Sequence, residues 1–121
     1  RTKQDIYLLR TTSDEVDLGV EYLNTYRRER AKLGINTYGL TPSTKSAIER
    51  LDGDEDKRML FHRTLLPPNS YTAPVEIDIY GSKSAFISFG DTQMAIVVDS
   101  PPMAEAMRQI MQLLIAQLAK A

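Results

Sequence analysis

The chain has 121 residues, is 42% hydrophobic and 26% charged, and carries a net charge of −1. These totals describe one globular domain with a single core. They give the bulk of the chain no electrostatic case for binding nucleic acid, and no apolar run nears the ~18 residues that cross a bilayer. Cysteine is absent, which excludes disulfides, thiol catalysis and cysteine metal sites and fits a reducing, cytoplasmic setting. No charged-then-apolar leader opens the chain, and the polar start "RTKQD" at Arg1 reads as a piece of a longer protein.

In chain order, "IYLLRTT" (6–12) is the short apolar run of a strand covered on both faces. Thr12 and Glu15 stand at capping-box spacing. The spacing predicts a helix with Val16, Val20 and Leu23 on one stripe, running through "RRERAK" to a stop at Gly34. "INTYGLT" (35–41) reads as a second strand, with Pro42-Ser43 and a helix over "STKSAIERL" after it. "DGDED" (52–56) breaks that helix, "KRMLF" adds a turn or two, and "HRTLLPP" (62–68) is a third strand closed by prolines. Strand–helix–strand–helix–strand is the rhythm of a parallel sheet with crossovers.

The second half changes character. "PVEIDIYG" alternates, with Val75, Ile77 and Ile79 inward and Glu76, Asp78 and Tyr80 outward. "SAFISF" and "MAIVVD" follow after short turns as an antiparallel meander, and the apolar "MAIVVD" is expected at the centre of the sheet. Ser100 then caps a helix with prolines in its first turn. Met103, Met107, Ile110, Met111, Leu114 and Leu118 form its apolar stripe, and Leu113 and Ile115 lie off it. That surplus predicts a homodimer contact through Leu113, Ile115 and Leu118. The fold class expected is α/β, with a mixed sheet whose last three strands form the meander, in one domain over residues 1–121.

Order and motifs together bear a resemblance. An α/β half, a hairpin with Lys83 near its turn, a buried strand and a "DSPPMAEAMRQIMQLL" helix resemble the phospholipase D-like fold. Active members carry His-x-Lys-x4-Asp on such a hairpin; the frame here is Gly81, Ser82, Lys83, four residues, then Ser88, so only the lysine matches. More closely, the chain resembles the effector domain of TrmB-like transcriptional regulators and related winged-helix regulators. The resemblance rests on "EYLNTYRRERAKLGINTYGLTP", "HRTLLPP", "VEIDIYGSKSAFISF" and "MAIVVDSPPMAEAMRQIM", from about residue 6 to residue 118. It implies an N-terminal winged helix outside this chain, a DNA-bound homodimer, and a small-molecule effector such as a sugar. The chain lacks the additional sugar-contacting region of the longest members, and the effector expected is a sugar or an anion.

Catalysis by the phospholipase D route needs one histidine as nucleophile and a second as general acid. The one histidine, His62, opens the third strand and does not stand two residues before Lys83. A strand-end hydrogen bond suits it, and a ligand contact or pH-sensing role is the alternative. No histidine pair has metal-ligand spacing, no glycine-rich phosphate loop follows a strand, and "DGDED" lacks the closing glutamate of a Ca²⁺ loop. No cofactor is expected.

Ligands of parallel sheets sit at the carboxyl ends of strands, against helix N-termini. Those ends offer Thr12 and Ser13 after the first strand and Thr41 and Ser43 after the second. Each set serves either as helix caps or as a site for an anion or sugar hydroxyl. Tyr80 and Lys83 would close the same pocket if the hairpin kept the geometry of the motif. "RRERAK" is either a solvated face favoured at a helix C-terminus or a phosphate contact. The expected function is ligand sensing and dimerisation in a prokaryotic transcription regulator without catalysis. The alternatives are a divergent dimeric phosphodiesterase and a purely structural dimerisation module.

Overall fold

The computed structural model describes residues 5–11 and 31–120. Residues 12–30 of the expected first helix, with Thr12, Ser13, Arg27, Arg28 and Arg30, lie outside the described residues; its end is described, with Ala31 and Lys32 helical and Gly34, at a φ of 73°, at the expected stop. The strands are β1 (Ile6–Leu9), β2 (Thr37–Pro42), β3 (Phe61–Leu66), β4 (Val75–Tyr80), β5 (Lys83–Ser88) and β6 (Met94–Asp99). The helices are α1 (Lys45–Asp52), α2 (Glu55–Arg58) and α3 (Pro101–Ala119).

One mixed sheet is built in the order β3-β2-β1-β4-β5-β6. β1, β2 and β3 run parallel, β1 meets β4 antiparallel, and β4, β5 and β6 form the meander. The two halves expected from the sequence are therefore both present, joined at β1–β4. Gly81 and Ser82 form the two-residue loop between Tyr80 and Lys83, with Gly81 at a φ of 61° that a side chain would resist.

Three expectations need correction. β6 is an edge strand, paired with β5 alone among the described residues, not a central one. A continuous apolar run says that both faces want cover; it does not say where in the sheet the strand lies. The short helix expected over "KRMLF" is instead α2, "EDKR", begun by two residues of the expected break, with Glu55 and Asp56 in its first turn and Lys57 and Arg58 in its last, charges that complement the peptide dipoles. The chain then turns at Leu60, with φ 53°, and Phe61 already belongs to β3, one residue earlier than expected. Finally, Glu76 is buried at 6% exposure, where alternation alone had placed it in solvent.

The pairing register explains Glu76, because both faces of the sheet are covered. On one face Leu40, Ile79 and Leu66 meet Ala104 and Met111 of α3, with Tyr7, Leu9, Met107, Ile115 and Leu118 packed around them. Ile115 and Leu118, expected at a dimer contact, are thus part of the core wall; of the three, only Leu113 is open, at 66% exposure. The opposite face carries Ile6, Leu8 and Arg10 of β1, Thr37, Gly39 and Thr41 of β2, and Phe61 and Arg63 of β3. Here Phe61 lies between two guanidinium groups, Arg63 at 4.7 Å and Arg10 at 5.7 Å from its ring centre.

Gly39 is the residue that lets this ring lie flat on the sheet. A Cβ there would overlap Phe61 Cζ and stand 3.1 Å from Leu8 Cδ1. Gly39→Ala is therefore expected to destabilise the fold by about 1–3 kcal/mol. A double-mutant cycle in urea should find the loss largely relieved in a Phe61→Leu background; equal losses in both backgrounds would mean that the ring is not what Gly39 accommodates.

Candidate functional site

Of the two strand ends named by the sequence, that of β2 borders a recess together with the end of β3, and Thr12 and Ser13 lie outside the described residues. β2 ends at Pro42, and the backbone N–H of Thr44 donates back to the Pro42 carbonyl at 2.9 Å. Thr44, one residue later than Ser43, caps α1, its Oγ1 accepting from the Ala47 N–H at 3.1 Å. Ser43 instead ties the two strand ends together, its hydroxyl donating to the Leu66 carbonyl at 2.5 Å. Across the gap, "PPNS" turns tightly: the Ser70 N–H and hydroxyl both donate to the Pro67 carbonyl, and Asn69 takes a φ of 61°. Ser43, Thr44, Leu66, Asn69, Tyr71 and Thr72 line the resulting open pocket of about 290 Å³. The lining residues bring hydroxyls and a carboxamide, chemistry suited to a small polyol or an anion.

Thr41 does not share this pocket. Successive strand residues point to opposite faces, and the odd-numbered Thr41 falls on the Phe61 face, where it is 2% exposed. Its hydroxyl accepts from Arg63 Nη1 at 3.3 Å, and Arg63 in turn makes a forked pair with Asp56 of α2, 2.7 Å from Nε and 3.1 Å from Nη2. Thr41 is thus a structural link between β2, β3 and α2. Thr12 and Ser13 lie outside the described residues.

Tyr80 and Lys83 sit at the other end of the sheet. β4 runs antiparallel to β1 with Tyr7 opposite Ile79, so the β4–β5 loop stands beside the start of β1, whereas Ser43 follows the end of β2. Six residues of strand separate these levels, roughly 20 Å. At that end Lys83 is exposed and lies opposite Asp99, the Ser82 hydroxyl donates to Asp99 Oδ1 at 2.5 Å, and Arg108 Nη1 donates to the Gly81 carbonyl at 2.8 Å. The loop is fastened to β6 and α3, and Lys83 is a turn lysine on the far side from the pocket.

His62 lies on β3, four strands across from Lys83 on β5, a span of roughly 19 Å. Register also places the two on opposite faces. The His62 Nε2–H donates to Asn36 Oδ1 at 2.9 Å, the strand-end hydrogen bond expected of it. What the sequence did not disclose is a ladder of rings. His62 stacks on Tyr38 at 4.6 Å and Tyr38 on Tyr7 at 5.0 Å, with the Gln112 side-chain amide donating to the Tyr7 hydroxyl at 3.0 Å. The only sequence signal is that each ring is the second residue of its strand, which becomes legible once the register is known. Nor does the sequence show the Arg10–Glu76 ion pair, 3.8 Å apart and nearly enclosed. Among the described residues no three acidic, histidine or cysteine side chains gather as a metal site, and no helix is long and apolar enough to cross a membrane.

With the geometry in hand, the chain can be set beside known proteins. No family model matches it, and no curated protein matches its sequence. Among solved structures it is similar to TrmBL2, described as an archaeal chromatin protein with a novel mode of DNA binding. The TM-score is 0.62 at 12% identity, covering 97% of this chain and 45% of that one. The likeness is one of fold, and this chain spans less than half of TrmBL2.

Two phenols give the molecule an alkaline limit. Burial, then the Glu76 carboxylate, raises the pKa of Tyr71, whose hydroxyl donates to the Val75 carbonyl at 2.5 Å. Burial, then Asp5 and Tyr7, raises that of Tyr38. A raised folded-state pKa means the folded form holds the proton more tightly. The associated stability is complete below the unfolded phenol pKa of about 10 and is lost as pH rises through the folded values. Thermal midpoints should therefore fall as pH climbs past about 10, and fall less in Tyr71→Phe than in the wild type. An equal fall would remove Tyr71 from the account.

Proposed function

We propose that this chain is the effector and dimerisation domain of a prokaryotic transcription regulator, phospholipase D-like in fold and without catalytic activity. The observation that carries the reading is the fold shared with TrmBL2 over 97% of this chain, against only 45% of that DNA-binding protein. In this reading DNA is held by a region outside this chain, consistent with a net charge of −1. The setting is the cytoplasm. A small polyol or anion in the Ser43–Thr44 pocket is bound better by one arrangement of a homodimer, and so biases the spacing of two attached DNA-binding units.

Several features support a domain that does not catalyse. Gly81 stands where the motif requires its nucleophile, and His62 and Lys83 lie roughly 19 Å apart on opposite faces of one sheet. Lys83 is then the remaining member of a lapsed frame, serving as a turn residue. No observation favours the phosphodiesterase alternative.

A thermal-shift panel of sugars, polyols and small anions tests the reading directly. A ligand at ~100 times its Kd should add about 2.7 kcal/mol to stability. The expected outcome is stabilisation of the wild type and of Lys83→Ala by at least one member, reduced or lost in Ser43→Ala. A shift that depends on Lys83 and not on Ser43 would move the site to the hairpin. A panel with no effect would leave a structural dimerisation module.

A further inference from the structure

The two edges of the sheet are unlike. β3, "FHRTLL", carries a charge and a histidine, is followed by Pro67 and Pro68, and has α1 and α2 packed against it. Those are the devices that keep an edge from pairing. β6, "MAIVVD", has a charge only at its last residue, Asp99, and its prolines, Pro101 and Pro102, belong to the helix that follows. Its ladder with β5 is unbroken from Lys83–Asp99 to Ser88–Met94, so no bulge twists it away. Among the described residues nothing pairs with its outer side. Met94 is 57%, Ile96 54% and Val97 53% exposed. Met94 and Ile96 fall on the α3 face and Val97 on the other, so apolar side chains stand in solvent on both faces of one strand. A strand apolar on both faces belongs inside a sheet.

We propose that the missing neighbour of β6 is β6 of a second copy, antiparallel about a two-fold axis, joining two six-stranded sheets into one continuous sheet. This rests on the dimerisation reading above and names its surface. Two antiparallel neighbours related by a two-fold share it perpendicular to the sheet, so each face stays on its own side and paired residues must be of one face. With Ile96 on the axis, Ile96 meets Ile96 of the partner subunit, Ala95 meets the partner's Val97, and Met94 meets the partner's Val98. Every apolar residue of the strand then lies opposite another, and Asp99 falls opposite the partner's Gln93, an amide able to donate to it. Shifting the axis to Val97 would set Asp99 against the partner's Ala95, with no donor. Roughly six ladder hydrogen bonds form. Met103, 52% exposed one turn into the helix that follows β6, extends the same patch.

The chain has no cysteine, so single introduced thiols report the register. Sedimentation velocity is expected to show a dimer for the wild type. Ile96→Cys should cross-link to itself rapidly under mild oxidation, while Val97→Cys and Leu113→Cys should not. Ile96→Lys, which sets like charges face to face on the axis, should weaken dimerisation at least about tenfold while leaving the circular dichroism spectrum unchanged. Rapid cross-linking of Val97→Cys in place of Ile96→Cys would overturn the pairing. So would a dimer that only Leu113→Cys captures, which would place the interface on α3 and leave the dimerisation reading intact. A wild type that stays monomeric at every concentration would overturn both.

Discussion

The pairing of β1 with β4 is the contact on which the rest depends. β1 accepts a parallel neighbour on one side and an antiparallel one on the other, and so joins a crossover half to a meander that, among the described residues, has no other strand contact with it. Leu8, Leu40 and Ile79 around that junction are at most 1% exposed. The same junction brings Arg10 beside Glu76 in an enclosed position. Enclosed ions are costly to desolvate, so loss of one member of such a pair damages a fold far more than the pair itself stabilises it. Arg63, Asp56 and Thr41 repeat the arrangement further along the face, and Phe61 lies between the two arginines. On one face of this sheet apolar side chains meet α3; on the other, charged pairs stand among Ile6, Leu8 and Phe61.

That division explains what the sequence discloses. Strand and helix periods are local, so all six strands and the capped C-terminal helix were legible, as were the parallel and antiparallel halves. Position within the sheet is not local. "MAIVVD" reads as central because its composition asks for cover on both faces, and it lies at an edge. "DGDED" reads as a break because it is dense in carboxylates, yet its last two, Glu55 and Asp56, open α2 at the helix end where acids are favoured.

The candidate site shows the same limit at the scale of single residues. Ser43 and Thr41 are two positions apart and were named together, but the strand ends between them. Ser43 turns into the pocket at the strand ends, and Thr41 stays on the ladder, held by Arg63. Tyr80 and Lys83 were grouped with them on a motif; direction of the strands separates them. Similarity to TrmBL2 at 12% identity carries the same lesson, since pattern and register can preserve an architecture after side-chain identity has gone.

The ring ladder across β1, β2 and β3 has a spectroscopic consequence. The chain contains six tyrosines and no tryptophan, so its near-ultraviolet circular dichroism comes mainly from phenols held in fixed, asymmetric surroundings. Tyr7 and Tyr38 stack at 5.0 Å with an interplanar angle of 20°, one on each of two neighbouring parallel strands. Their coupled signal exists only while those strands keep register. The molecule therefore carries, without any label, an optical gauge of its parallel half, separate from the meander on the other side of β1.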